Sequence, residues 1–280
     1  MRTNFFALTI LAVVAVFAFF TVGGIFPTKL NTTGAQSGSF VMVTPVPGTS
    51  NKALQFKFIT FKGCSSTTTV DFLVDRSGSM AGNKLKQLQQ GILSFVNKLS
   101  DQSVFGLQTF ADPPNTEWRN DINPGLFSDV KGKITDIVCS LNANGGTYTK
   151  DAFTQTKDVL VQTQKNYSGR KLALIFVSDG VPETNESDSL PCTGRLCRAN
   201  TCECFAPEQD PTSVADEIKA MGIKIYTIAY VDQNDANVND KLQALMKGVA
   251  STPDDYYMAP KETDVVAILN KISNEICADQ

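Results

Sequence analysis

Three short stretches bring together side chains of the kind that hold hard cations. Asp75-Arg76-Ser77-Gly78-Ser79 sets one carboxylate and two hydroxyls at alternate positions. Asn144-Gly145-Gly146-Thr147 ends on a third hydroxyl, and Ser178-Asp179-Gly180 supplies a second carboxylate. An all-oxygen set of this type suits Mg²⁺, which asks for about six oxygens and retains some of its waters. Each stretch alone has an ordinary reading, because Ser and Asp after a strand cap helices and Asp-Gly forms turns. Their occurrence together, in this order, carries the signal. The chain contains no histidine, which excludes Ser-His-Asp and Cys-His catalysis, HExxH sites and histidine-bearing zinc sites. With no phosphate-cradling Gly-rich loop and no obviously placed general base, the chemistry points to binding rather than turnover.

The elements that must position these stretches alternate strand with helix. Residues 69–74 form a short β-branched run of the kind buried in a parallel sheet, and 171–177 form the strongest such run. Residues 104–110 and 223–230 read as further strands, with a short one at 256–258. Helical stripes are predicted over 84–99, 130–139, 152–161, 214–221, 241–250 and 262–276. The first is carried by Leu85, Leu88, Ile92, Phe95, Val96 and Leu99. Alternation at this spacing predicts a doubly wound, mostly parallel α/β sheet with helices on both faces. Ligands on such sheets bind at the carboxyl ends of the strands, where two of the three stretches fall.

On these motifs the chain, over about residues 64–280, resembles the von Willebrand factor type A domain. The resemblance implies a metal-ion-dependent adhesion site with Ser77, Ser79 and Thr147 as hydroxyl ligands and Asp75 and Asp179 binding directly or through water. It implies Mg²⁺, or Mn²⁺ or Ca²⁺, as the ion, and as partner an extracellular protein presenting an acidic side chain. It also implies that the helix over 262–276 shifts when ligand reaches the ion. Arg76, inside the first motif, either supports an incoming carboxylate or is simply solvated.

Residues 1–70 hold five basic residues and no acidic one, leaving a net charge of −8 on the remaining 210. The shift marks an N-terminal appendage on an acidic body. Residues 5–26 carry no charge, enough for a helix to cross a hydrocarbon core of about 30 Å. A signal anchor is expected over 1–26, with a cleaved signal peptide as the competing reading. Either one exports the body, on the cell membrane or secreted. Residues 27–52, rich in Thr, Ser, Gly and Pro, read as a spacer, and 53–62 as an amphipathic strand added to the edge of the main domain, 53–280. The net charge of −3 argues against nucleic-acid binding.

Seven cysteines follow: Cys64, Cys139, Cys192, Cys197, Cys202, Cys204 and Cys277. Outside the cytosol disulfides are the default, and an odd number leaves one thiol over. Cys64 and Cys277 bracket the domain and are candidates to tie its ends. Four cysteines crowd an insertion at about 181–211, for which a four-thiolate zinc site is the alternative, although its spacing lacks CxxC pairs. This stapled flap is expected to overhang the site; it either helps choose the partner, with Thr184 and Asn185 as contact candidates, or is only a disulfide-stabilised excursion, and Cys139 lies within reach of a flap cysteine. The favoured function is a membrane-tethered binding module. The alternative is a structural or assembly subunit of a surface appendage. Asn31, Asn166 and Asn185 lie in N-x-[ST] sequons.

Overall fold

The computed structural model describes residues 40–45, 56–61, 64, 68–111, 118–184, 195–198, 201–205, 207–231 and 236–278. The first strands, β1 (Phe40–Pro45) and β2 (Phe56–Phe61), pair antiparallel in a sheet of their own, with Phe40 opposite Phe61 and Pro45 opposite Phe56. This corrects two expectations. The spacer over 27–52 contains a strand, and the amphipathic strand pairs with it instead of extending the main sheet.

The main sheet holds β3 (Thr69–Asp75), β4 (Val104–Phe110), β5 (Arg119–Leu126), β6 (Leu172–Ser178), β10 (Lys224–Tyr230) and β11 (Tyr256–Ala259). Their order is β11-β10-β6-β3-β4-β5, parallel throughout except for the antiparallel edge strand β5. Strand β5 was not among the expected strands, and Asn123-Pro124-Gly125 interrupts its sequence. Proline is tolerated on an edge, where no second neighbour needs its N–H. In the flap, β7 (Glu183–Thr184), β8 (Arg195–Arg198) and β9 (Thr201–Phe205) form a small antiparallel sheet in the order β7-β9-β8.

Six α-helices among the described residues cover the main sheet, three to a face. Side chains alternate across a strand, so Val70, Phe72 and Val74 of β3 face one layer and Leu73 faces the other. The first layer is closed by α1 (Asn83–Val96), α2 (Phe127–Ser140) and α6 (Asp264–Ala278), through residues such as Ile92, Ile134 and Leu269. The second is closed by α3 (Thr149–Asn166), α4 (Thr212–Ala220) and α5 (Ala236–Val249), through Phe153, Ile218 and Met246. Being covered on both sides, β3, β4 and β6 are buried at every position.

Cys64 and Cys277 are joined by a disulfide across a sequence separation of 213, as bracketing positions would require. Cys139 is a free, exposed thiol, so its expected pairing with a flap cysteine is corrected. It lies on the last turn of α2, which packs on the first face of the sheet. Among the described residues no helix is long and apolar enough to cross a membrane. The segment over 1–26, Asn31, Asn185 and Cys192 lie outside the described residues, as do the side chains of Thr184, Cys197, Cys202 and Cys204.

Candidate metal centre

All three motifs come together at the carboxyl edge of the sheet, over β3 and β6. β3 ends in Asp75, whose side chain is completely buried. Beyond it the chain cannot run on as a strand, because it must turn into α1. Arg76 N–H still donates to Phe110 O at 2.9 Å, and Ser77 N–H then donates to Asp75 Oδ1 at 2.7 Å. That second bond is an aspartate capping its own turn. A short 3₁₀ turn, Gly78–Met80, follows, and Gly82 at φ 82° lets the chain swing into α1.

The loop carrying Thr147 is latched to this turn through backbone alone. Gly78 N–H donates to Gly145 O at 2.8 Å, and Asn144 N–H donates to Arg76 O at 2.8 Å. β6 brings in the third motif. Ser178 Oγ donates to Asp75 Oδ2 at 2.5 Å, and Ser79 Oγ donates to Asp179 Oδ1 at 2.7 Å. Ser77 Oγ and Ser79 Oγ lie 3.0 Å apart. Thr147 is buried against Gly180, where a Cβ would sit 3.2 Å from its Oγ1. A glycine after Asp179 therefore leaves room for the threonine hydroxyl. The five residues expected as ligands are thus gathered by direct contacts or through adjoining backbone.

The donor set fits a hard divalent cation. Every side chain named offers oxygen, and two carboxylates share one pocket with three hydroxyls. Burial and, next, the charge on Asp179 push the Asp75 carboxyl up to about 7, against hydrogen bonds from Ser178 and Ser77. Two acidic groups in that relation call for a cation between them or beside them. Among the described residues no cluster of three or more His, Cys, Asp or Glu could hold a metal. An ion held here would have to take its remaining ligands from the hydroxyls.

Two members of the site were missed in sequence. Ser178 was named within the third motif but given no role of its own, yet it donates to Asp75. Lys84 was read only as the start of a helix, yet its Nζ lies 2.5 Å from Asp179 Oδ2 and 3.3 Å from Ser79 O. A cation in a helix's first turn opposes the macrodipole unless something holds it there, and that was the available signal. Arg76 is corrected in turn. It is 1% exposed, neither solvated nor on the surface that a partner would meet. Thr184 lies on β7, with its Cα partner at Cys204 on β9.

The von Willebrand factor type A domain model matches residues 70–273, and the chain belongs to that family. Human inter-alpha-trypsin inhibitor heavy chain H4 is 30% identical over 122 residues, covering 42% of this chain and 13% of the human one. The pilus adhesin SpaC from Lactobacillus rhamnosus GG superposes with a TM-score of 0.60 at 19% identity, over 76% of this chain and 31% of SpaC. Proximal thread matrix protein 1 from the mussel byssus, solved with a zinc-occupied MIDAS motif, superposes at 0.54 and 14% identity, over 77% of this chain and 47% of that one. This chain therefore spans a small part of the human heavy chain and under a third of SpaC, and the two structural likenesses are of fold.

Proposed function

We propose that this chain is an extracytoplasmic adhesion module, tethered by its N-terminal apolar segment, that grips an acidic side chain of a protein ligand through a divalent cation. Asp75, Ser77, Ser79, Thr147 and Asp179 would hold Mg²⁺, with Mn²⁺ or Ca²⁺ as substitutes. The observation that carries this reading is the meeting of the three motifs at one sheet edge, with Ser79 Oγ bonded to Asp179 Oδ1 across 100 residues of sequence. A bound ion supplies a hard Lewis-acid position that a carboxylate can take.

The protein's own part is preorganisation. Ser178 and the Ser77 N–H fix both oxygens of Asp75, and the Gly78–Gly145 and Arg76–Asn144 backbone bonds fix the spacing of the hydroxyl loops. Ser79 and Asn144 are exposed while Asp75 is buried, so the site has access to solvent. At the same sheet edge a cavity of about 280 Å³, lined by Ala111, Trp118, Tyr148 and Ala152 among others, gives a neighbouring ligand side chain somewhere to go. Its position follows from the chain: Tyr148 succeeds Thr147, and Ala111 succeeds Phe110. The name of the pilus adhesin supports adhesion, and the zinc-occupied MIDAS motif of the mussel protein supports a cation at this edge. Binding rather than turnover is the proposed activity, because the residues gathered here are of the kind that ligate a cation.

Calorimetric titration of Mg²⁺ and Mn²⁺ into the full chain in detergent tests this. The wild type is expected to bind one ion and Asp179→Ala to lose affinity by at least tenfold, about 1.4 kcal/mol. Equal binding by the two proteins would sink the assignment.

A further inference from the structure

We propose that Lys84 is a built-in rival of the metal: its ammonium, paired with Asp179, offsets one charge of the two neighbouring carboxylates and must let go of Asp179 for a divalent cation to bind. The inference rests on the metal-binding reading of this site and goes beyond it, to what sets the site's affinity.

Three observations carry it. The first is the contact itself. Asp179 has a fully buried side chain, and its two oxygens are both engaged, Oδ1 by Ser79 Oγ and Oδ2 by Lys84 Nζ. A buried carboxylate with a single ammonium partner depends strongly on that partner, since removing it strands a charge. The second is that Lys84 is held from both ends. Its backbone carbonyl accepts a hydrogen bond from Tyr230 Oη at 3.0 Å, at the end of β10, and its Nζ also donates to Ser79 O. Ser79 belongs to the first motif and Tyr230 ends β10, the strand beside β6, so the lysine is tied to the site's surroundings at both ends and is not a stray surface chain. The third is its exposure. The Lys84 side chain is 25% exposed, leaving an outlet to solvent along which the ammonium can swing clear while its Cα stays fixed.

The charge count gives the sign. Asp75 and Asp179 present up to two negative charges, and Lys84 offsets one of them. A divalent ion arriving beside an ammonium bound to the same carboxylate meets a repulsive neighbour, and the two cations compete for Asp179 Oδ2. Offsetting that charge in the ion-free site therefore comes at the expense of metal affinity. In its usual role as a helix-surface residue, Lys84 would change neither property. Lys86, two positions on and exposed, offers the same change of charge without the contact.

Binding of Mn²⁺, followed by the electron paramagnetic resonance signal of the free ion, separates the possibilities in the full chain. Lys84→Met is expected to bind Mn²⁺ on the order of tenfold more tightly than wild type, as loss of one competing charge at a half-buried site would give. Lys86→Met is expected to stay within about twofold. Without metal, Lys84→Met should melt about 5 °C below wild type, and Mn²⁺ should restore more of its stability than it adds to the wild type. Lys84→Gln provides the same test with a polar replacement should the methionine fail to fold. Binding in Lys84→Met or Lys84→Gln that is unchanged or weaker overturns the rivalry and makes Lys84 a positioning residue for Asp179. Equal tightening in Lys86→Met overturns it in favour of general charge. Absence of Mn²⁺ binding in every protein, Lys84→Met included, overturns the metal reading and this inference with it.

Discussion

Asp71 shows how far one side chain in this sheet departs from ordinary behaviour. It lies in the middle of β3 with Gly106 as its register partner on β4, and a Cβ on Gly106 would come within 2.4 Å of its Oδ1. The missing side chain is thus what admits the carboxyl, and Pro124 Cγ would lie 2.7 Å from the same Cβ. Burial pushes the acid up to about 8. In the unfolded chain it would release its proton near 3.9. Between about pH 4 and pH 8 the folded state therefore binds the extra proton, stability falls as pH rises, and the loss is complete above 8. Asp71→Asn removes this slope. Its melting temperature is expected to match the wild type near pH 4 and to exceed it by about 5 °C or more at pH 8, read by circular dichroism. A constant offset across that range would mean that Asp71 is ionised in the fold. At the site, by contrast, hydroxyls and glycines set the geometry, and nothing in a lone Ser-Asp-Gly distinguishes a ligand loop from a turn. The three motifs were legible because they recur together. Lys84 and Ser178 were not, because their roles exist only once β3 and β6 lie side by side.

The elements were legible where burial leaves a simple pattern. β4 falls over the same residues as its apolar run, and the helical stripes differ from the observed helices mainly at their ends, where capping rather than hydrophobicity decides the boundary. Strand β5 was hidden because edge position relaxes the usual ban on proline, and β1 because six strand residues sit inside a Thr- and Pro-rich stretch. Contact between α1 and α6 was also beyond sequence, yet it is specific. A Cβ on Gly91 would approach Leu269 Cδ1 to 2.7 Å, while Lys98 Nζ reaches across to Ser273 Oγ at 2.7 Å and Asn270 O at 3.3 Å. The two helices meet at the glycine and are held at the lysine. Gly91→Val is expected to cost about 1–3 kcal/mol by overpacking, measured by urea denaturation, although valine improves on glycine's own helix propensity. A neutral or stabilising result would show that α6 can retreat from α1.

At the scale of the molecule, the disulfide between Cys64 and Cys277 closes almost the whole domain into one loop. Both cysteines are buried, one ahead of β3 and the other at the end of α6. Replacing both with serine is expected to lower stability by roughly 3–5 kcal/mol, chiefly by freeing the unfolded chain, and guanidinium denaturation checks this. A loss below about 1 kcal/mol would mean that the unfolded ends are already held near each other. The same bond governs how the module carries load. A pull arriving along the chain ahead of Cys64 enters at two places, at β3 through the backbone and at α6 through sulfur. Pulled between the chain before Cys64 and the chain after Cys277, even a fully unravelled domain would extend by none of the enclosed chain, which at a separation of 213 residues amounts to roughly 700 Å of contour. Under oxidising conditions the domain is a link of fixed length for a pull across its ends, whereas a pull on the Asp75–Asp179 edge, inside the loop, would draw on the enclosed chain once the fold gave way.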